Sequence, residues 1–318
     1  MINNLKIKIL FLGASKRVSL IEYFLKSANE LNVGLELYSC EHESKFYPIS
    51  QYASIIPGPD FKQPEFGFWL NDFLKAKGID IVIPNMDAAT VALSYFKETK
   101  KEFEASWMVV SNYELCIKME DKILSDEFFK SKNIPVPLNS TDIFPKYIKN
   151  RFGFGGRDTY IVKNQKDLNR FFQNVSTDKY IIQDEVKGQE STVDIYFSRQ
   201  GVLIGYIIRD RYEVSDGEVM SCSTREPYEI EKELINKVCA IPGWQGCITL
   251  QYIRDGNNIT VIEINPRFGG GVTCSIEAGL DMPLYLLSEY IKIPYKLPDH
   301  FKKIYMTRAR KDYFYEYN

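Results

Sequence analysis

The sequence predicts a two-part chain: a parallel α/β unit over residues 1–112, then an α+β unit over 113–318. Three observations carry this expectation. Apolar strands alternate with amphipathic helices through the first third, an order that builds a doubly wound parallel sheet. Past residue 112 short strands succeed one another in hairpin fashion. Toward the end, CITLQYI and NITVIEIN flank the turn Asp255-Gly256-Asn257-Asn258, as an antiparallel pair requires.

In order, KIKILFL (6–12) reads as a buried strand, followed by the turn Gly13-Ala14-Ser15. Residues 17–31 place Val18, Ile21, Phe24 and Leu25 on one side of a helix. LELYSC (35–40) is a second strand. FGFWLNDFLKAK (66–77) is a helix and IDIVIP (79–84) a strand. DAATVALSYFKE (87–98) is a helix with Asp87 as its N-cap. WMVV (107–110) closes the unit. The run KMEDKILSDEFFKSKNIPVP predicts one helix that ends near 131. Strands are expected at YIKNRF, TYIVKN, YIIQDEV, STVDIYF and LIGYIIRDRYEV, and a helix end at VCAIPG. The C-terminal stretch LPDHFKKIYMTRARKDYFYEYN is basic and aromatic. It reads as a final strand on the core, with Arg308 or Arg310 as a candidate substrate contact.

Composition narrows the function classes. The 318 residues suit two or three packed subdomains. A net charge of -2 argues against a nucleic-acid binder that works by phosphate neutralisation, and a basic-cleft binder stays a distant alternative. With only His42 and His300, neither a His-rich zinc site nor a Ser-His-Asp triad is expected. The six cysteines (Cys40, Cys116, Cys222, Cys239, Cys247, Cys274) are scattered without CxxC spacing and read as reduced thiols. No segment approaches 18 apolar residues, and the N-terminus lacks a signal-peptide pattern. A cytoplasmic protein without a membrane partner is expected.

Four segments carry chemistry. GASKRV is not GxGxxG, so its turn is as well explained by strand–helix geometry as by nucleotide binding. Gly13, Ser15 and Arg17 stand where such sheets face a ligand. VIEINPRFGGG (261–271) places Glu263 and Asn265 on one strand face, with Gln251 on the preceding strand. Oxygen donors so arranged suit magnesium; the other reading is a solvated polar face. In PKYIKNRFGFGGRDTYIVKN (145–164), Lys149 precedes a loop with Gly153, Gly155 and Gly156, whose N–H groups could approach phosphates. A structural hairpin turn explains it equally. YIIQDEVKGQE (180–190) offers a polar hinge and then Glu190, an arrangement that many loops share.

Taken in this order, these segments resemble the ATP-grasp fold of biotin carboxylase and of the carbamoyl phosphate synthetase large subunit. The likeness covers essentially the whole chain. It implies an N-terminal Rossmann-like domain (1–112) and an ATP-grasp domain (113–318) of two α+β subdomains, about 113–185 and 186–318. It implies that Lys122 and Lys149 are the two ATP lysines and that Gly153, Gly155 and Gly156 close over the phosphates, aided by Arg157. Gln183, Asp184, Glu185 and Val186 become the adenine hinge, and Glu190 the ribose carboxylate. Gln251, Glu263 and Asn265 become magnesium ligands, with Mn2+ as a substitute, and Arg267 faces the phosphates. Phe154 and Asp158 depart from the small residues usual in that loop, which bears on how it closes.

The implied reaction is ATP-dependent carboxylate–amine ligation through an acylphosphate, with Arg267 and Lys149 as the catalytic cations. The expected partners are a small carboxylate, a sugar acid or amino acid, and an amine. Arginines pair bidentately with carboxylates, which makes Arg209, Arg211 and Arg225 substrate candidates. Arg209 and Arg211 alternate on one strand and can face one side, although solvated arginines are the plainer reading. The turn Gly269-Gly270-Gly271 either leaves room for substrate at Gly270 or is simply tight. The chain shows no second synthetase-like half, biotin-accepting segment or glutaminase, which argues against making carbamoyl phosphate or carboxybiotin. The alternatives are a carbamoyl-type or kinase-like transfer without an amine acceptor, and a nucleotide-binding module without turnover. Dimers are common among such proteins, which implies a homodimer.

Overall fold

The computed structural model describes residues 5–43, 45–153, 158–173, 175–215 and 217–317. The first unit is a five-stranded parallel sheet. Its strands are β1 (Lys6–Leu12), β2 (Gly34–Glu41), β3 (Ser54–Pro57), β4 (Ile81–Pro84) and β5 (Trp107–Met108), in the order β3-β2-β1-β4-β5. Helices α1 (Val18–Glu30), α2 (Glu65–Lys77) and α3 (Asp87–Thr99) cover its faces. Both faces of β1 are buried: Ile7, Ile9 and Phe11 enter one core cluster, Leu10 and Leu12 another. This explains why ILFL (9–12) is continuous in apolar residues, whereas Lys6 and Lys8 alternate with Ile7 and Ile9 at the less buried start. The chain order reverses between β1 and β4, and in such sheets ligands bind outside the strand ends at that reversal.

The strand–helix alternation is therefore as expected, with β3 as an addition. SIIP is only four residues long and carries no periodicity to read. The single helix expected up to 131 is two, α4 (Tyr113–Glu120) and α5 (Lys122–Ser131). Asp121 breaks it. Its backbone is extended, and its carboxylate accepts from the N–H of Ile123 (3.0 Å) and Leu124 (3.4 Å). A short acidic side chain satisfies free N–H groups at a new helix start better than it serves a helix interior.

A three-stranded antiparallel sheet follows, formed by β6 (Lys146–Asn150), β7 (Thr159–Val162) and β8 (Tyr180–Asp184) in the order β7-β6-β8, with α6 (Gln165–Phe172) between the last two. The remainder builds a six-stranded antiparallel sheet. Its elements are β9 (Gln189–Phe197), β10 (Leu203–Ser215), β11 (Glu218–Arg225), α7 (Glu229–Cys239), β12 (Gly246–Asp255), β13 (Asn258–Asn265), α8 (Val272–Glu277), α9 (Met282–Ile291) and β14 (Tyr305–Thr307). The strand order is β13-β12-β9-β10-β11-β14. The C-terminal strand is β14, paired with β11.

The two faces of this large sheet differ. Val193, Ile195, Ile208, Leu250 and Tyr252 pack with Leu234, Ile235 and Val238 of α7 and with Leu115, Met119 and Phe129 of α4 and α5. The opposite face carries Thr192, Asp194, Arg209, Thr249, Gln251, Glu263 and Asn265, as the strand register requires. A bulge on β13, opposite Gln251 and Tyr252 of β12, shifts the pairing from Glu263 to Val261. Ile262 is thereby the extra residue, so Val261 and Ile264 keep to the core while Glu263 and Asn265 face out. Farther along that face, Tyr196, Ile207 and Cys247 share one core cluster with Phe24 of α1 and Leu286 of α9, so apolar packing crosses the boundary expected at residue 112.

Candidate functional site

The polar face of the large sheet, the three-stranded sheet and the C-terminal edge of the parallel sheet bring charged groups from four segments together. Lys149 ends β6. Burial lowers its pKa, and the charges of Glu263, Lys122, Asp126 and Glu190 act on it. Lys122 opens α5 and donates from Nζ to the Gly153 carbonyl at the start of the glycine loop. Asp121 beside it holds Arg151 through Nε at 2.8 Å and Nη2 at 2.5 Å, which ties α5 to the end of β6. Gly155, Gly156 and Arg157, with Phe154, lie outside the described residues.

On β12 and β13, Gln251 stands opposite Glu263 and Thr249 opposite Asn265. Asn265 donates to Glu263 Oε1 at 2.8 Å. Among the described residues no three His, Cys, Asp or Glu side chains cluster as a metal site. The donors here are one carboxylate and two amide oxygens, a hard all-oxygen set. It fits magnesium, which takes one or two protein carboxylates and fills its shell with water and phosphate oxygens.

Glu190 on β9 accepts from Arg211 Nη1, which also donates to Gln251 Oε1 at 3.1 Å. Gln183 of the hinge is buried and donates to Asp126 at 3.0 Å. The hinge corrects one expectation. The Asp184 side chain is committed to the protein, because its carboxylate accepts from Lys146 Nζ at 2.7 Å and Ser140 Oγ at 2.7 Å. The N–H groups of Asp184 and Glu185 are spent on the carbonyls of Leu138 (2.7 Å) and Pro145 (3.1 Å). The Glu185 carbonyl and Val186 N–H remain unclaimed among the described residues, an acceptor and a donor side by side.

The substrate arginines divide. Arg209 and Arg211 do share a face, but neither is free. Arg209 is 2% exposed and grips Asp194 at 2.7 and 3.3 Å, and Asp194 also accepts from Ser275 at 2.7 Å. Arg225 lies on the opposite face of the sheet. It is bound to Asp210 (2.8 Å) and Glu231 (2.6 and 2.7 Å) beside α7, and is removed as a substrate contact. The triple-glycine turn is tight rather than roomy at two of its three positions. An added Cβ would lie 2.7 Å from Thr249 Oγ1 at Gly269 and 2.4 Å from Arg209 Nη1 at Gly271. Only Gly270 has space, with Arg17 Nη1 nearest at 3.7 Å.

Gly13 and Ser15 are likewise committed to structure. Gly13 has φ +73, where L side chains are strained, and a Cβ there would meet Met86 Sδ at 2.5 Å. The backbone of Ala14 and Ser15 bonds Glu41, a buried carboxyl at the end of β2 whose pKa is raised by burial despite those bonds. The protein's own carboxylate thus fills the turn's anion site.

Asp87 had been expected to cap α3. Met86 occupies the cap position, and Asp87 reaches across to Arg267, accepting from Nε at 2.6 Å and Nη2 at 3.1 Å. Burial pushes the Asp87 carboxyl up, but the Arg267 charge and hydrogen bonds outweigh it and hold it below the usual carboxylate range. Arg267 Nη2 also donates to Asn265 Oδ1 at 3.3 Å. Asp87, Asp126 and Lys146 were not legible as site residues. The signal available for Asp87 was its place just past the strand IVIP, at the sheet edge where ligands bind.

Residues 119–271 match the family model described as the ATP-grasp domain. One curated relative is the carbamoyl phosphate synthase large chain of Clostridium acetobutylicum, 24% identical over 220 residues, covering 61% of this chain and 20% of that protein. Another is the C-terminal section of the carbamoyl phosphate synthase large chain of Aquifex aeolicus, 26% identical over 136 residues, covering 39% and 25%. The chain therefore spans at most a quarter of the length of these relatives. Among solved structures, N5-carboxyaminoimidazole synthetase of Staphylococcus aureus with ADP superposes with a TM-score of 0.75 at 17% identity, over 96% of this chain and 84% of that one. The biotin carboxylase domain dimer of Hydrogenobacter thermophilus 2-oxoglutarate carboxylase, solved with MgADP and bicarbonate, gives 0.68 at 15%, over 92% and 72%. These likenesses establish the fold, and no described helix is long and apolar enough to cross a membrane.

Proposed function

We propose that this protein is an ATP-dependent ligase that joins a small carboxylate, a sugar acid or amino acid, to an amine. A carboxylate oxygen attacks the γ-phosphorus and ADP leaves. The amine then attacks the acyl carbon, loses a proton, and expels phosphate. The observation that carries this reading is the convergence of Lys149, Lys122, Glu190 and Glu263 between the two antiparallel sheets, with Arg267 held beside them by Asp87.

Each residue has a role consistent with its place. Lys122 and Lys149 neutralise phosphate oxygens. The Glu185 carbonyl and Val186 N–H match the donor–acceptor edge of adenine, and Glu190 takes ribose hydroxyls. Glu263, Gln251 and Asn265 would hold magnesium, which supplies charge neutralisation to the phosphates when bound. No protein nucleophile is required, because such transfers depend on positioning and electrostatic stabilisation. Arg267 is pre-oriented by the Asp87 fork, so it need not reorganise during the reaction.

The test is ADP release from MgATP across a grid of carboxylates against amines. Release that needs one particular pair supports the ligase, whereas release independent of amine, with a stable phosphorylated product, sinks it in favour of a kinase-like reaction. With the responding pair, Glu263→Gln should slow ADP release by about 10²–10³, as loss of one preorganised electrostatic partner does. Chelation should abolish release and either Mg2+ or Mn2+ restore it. Near-wild-type turnover of Glu263→Gln would remove the metal assignment. Homodimerisation is part of the proposal, and sedimentation equilibrium decides it.

A further inference from the structure

Three arginines from distant segments meet at Gly270. Arg267 follows β13, Arg17 precedes α1, and Arg308 follows β14. Two of them are matched. Arg267 has Asp87, and Arg308 donates to Glu218 Oε2 at 3.2 Å and to the Gly270 carbonyl at 2.6 Å. Arg17 has no side-chain hydrogen bond or ion pair among the described residues, and its Nη1 stands 3.7 Å from where a Cβ on Gly270 would lie. Burial lowers its pKa to about 10, and the neighbouring charges of Arg267 and Arg308 act in the same direction. The carboxylates Glu218 and Asp87 oppose them.

The local balance is three guanidiniums against two carboxylates, so one negative charge is missing. The nearby β1–α1 turn cannot supply it, because Glu41 is already bonded to Ala14 and Ser15. A partly buried cation without a counter-ion is costly, and proteins keep one chiefly where a ligand completes the pair. Beyond Arg308 a groove of about 610 Å³ opens between α1, α8 and the C-terminal strand, with Tyr23, Lys26, Glu277 and Tyr305 on its walls. Of the three arginines only Arg308 lines the groove, and Arg17 stands between it and Arg267 in the charge environment of both.

We infer that Arg17 and Arg308 bind a second anionic group of the substrate, a carboxylate or a phosphate monoester, remote from the carboxylate that is activated beside Arg267. The substrate is then a small dianionic acid. Which end of the dianion is activated rests on the ligase reading; the anion site itself does not. Glu218 would yield Arg308 in part to the ligand, as a carboxylate that neutralises an empty site does.

The full chain is titrated by calorimetry, with and without MgADP, using acetate, glutarate and 3-phosphoglycerate. At least one dianion should bind about tenfold or more tightly than acetate, the size expected of a charged hydrogen-bonded contact. Preference for 3-phosphoglycerate over glutarate identifies the second group as phosphate, and the reverse order identifies carboxylate. Arg17→Ala and Arg308→Ala should each erase the advantage, while Lys303→Ala, an exposed basic residue of the same segment, should preserve it. If Arg17→Ala does not fold, Arg17→Lys, which retains charge but loses the fork, should weaken dianion binding while the melting temperature holds. Dianions that bind no better than acetate, or as well to the Arg17 variant as to wild type, overturn the inference. Failure of MgADP to bind would instead strike at the ligase reading, because the nucleotide-free titrations still report on the anion site.

Discussion

At the residue scale, the chemistry turns on which arginines are already spent. Arg209, Arg225 and Arg267 look alike in sequence, but each is paired with a different buried or half-buried carboxylate. Arg225 is the clearest structural case. Burial pushes its partner Glu231 up, but Arg225, the Tyr252 hydroxyl and the Tyr228 N–H outweigh it, and the carboxyl sits below its ordinary pKa. A carboxyl held low contributes stability that is present above its ordinary pKa and is lost as pH falls through the folded value. Urea denaturation should therefore show stability declining below about pH 5. Glu231→Gln should cost about 1–3 kcal/mol at neutral pH, because a half-buried Arg225 keeps only Asp210 as its carboxylate partner. It should also flatten that acid decline. An unchanged pH dependence in the variant would mean that Glu231 is not the titrating group.

At the scale of elements, the decisive feature is the break at Asp121. A continuous helix would carry Lys122 around its surface, whereas the new start at α5 points it toward Gly153. The same carboxylate caps two N–H groups and pairs with Arg151, so it joins α5 to β6. Asp121→Ala should lose about 1 kcal/mol for the cap alone. It should also weaken MgADP binding, since Lys122 and the glycine loop lose their common anchor. Chemical denaturation and nucleotide calorimetry on one preparation check both. A stability loss with unaltered nucleotide affinity would confine Asp121 to a structural role. The bulge on β13 has a comparable effect, because one extra residue sends Glu263 and Asn265 to the open face while Val261 stays in the core.

On the scale of the whole molecule, the parallel sheet and the C-terminal α+β unit share an apolar core cluster. Phe24 of α1 meets Phe11 edge-on at 5.4 Å and Phe268 at 6.0 Å, and Phe268 adjoins Arg267. Leu20, Ile21 and Phe24 pack in one cluster with Leu286 and Leu287. Unfolding should be a single transition, with tryptophan fluorescence and far-ultraviolet circular dichroism coincident. Phe24→Ala should cost about 3–5 kcal/mol as a large-to-small change in a packed core. It should disturb nucleotide-dependent ADP release as well, through Phe268. Two separated transitions would show that the units are energetically independent.

The apolar alternation of residues 6–110 determined a parallel sheet unaided, because burial on both faces leaves a strand no polar side to display. The E-x-N-P-R run and the lysine before a glycine loop likewise marked segments that the structure brings together, since Glu263 acts electrostatically on Lys149. Pairing was not legible. Nothing near Arg209, Arg225 or Arg267 in the chain reveals Asp194, Glu231 or Asp87, whose separations of 15, 6 and 180 positions follow from sheet register and domain packing. Nor could the chain distinguish Arg17, whose side chain has no hydrogen-bond or ion-pair partner among the described residues, from arginines that have one. Local periodicity records which groups face solvent or core, but counter-charge depends on distances through space, which the register of the large sheet sets for Arg209 and the packing of the parallel sheet against the C-terminal unit sets for Arg267.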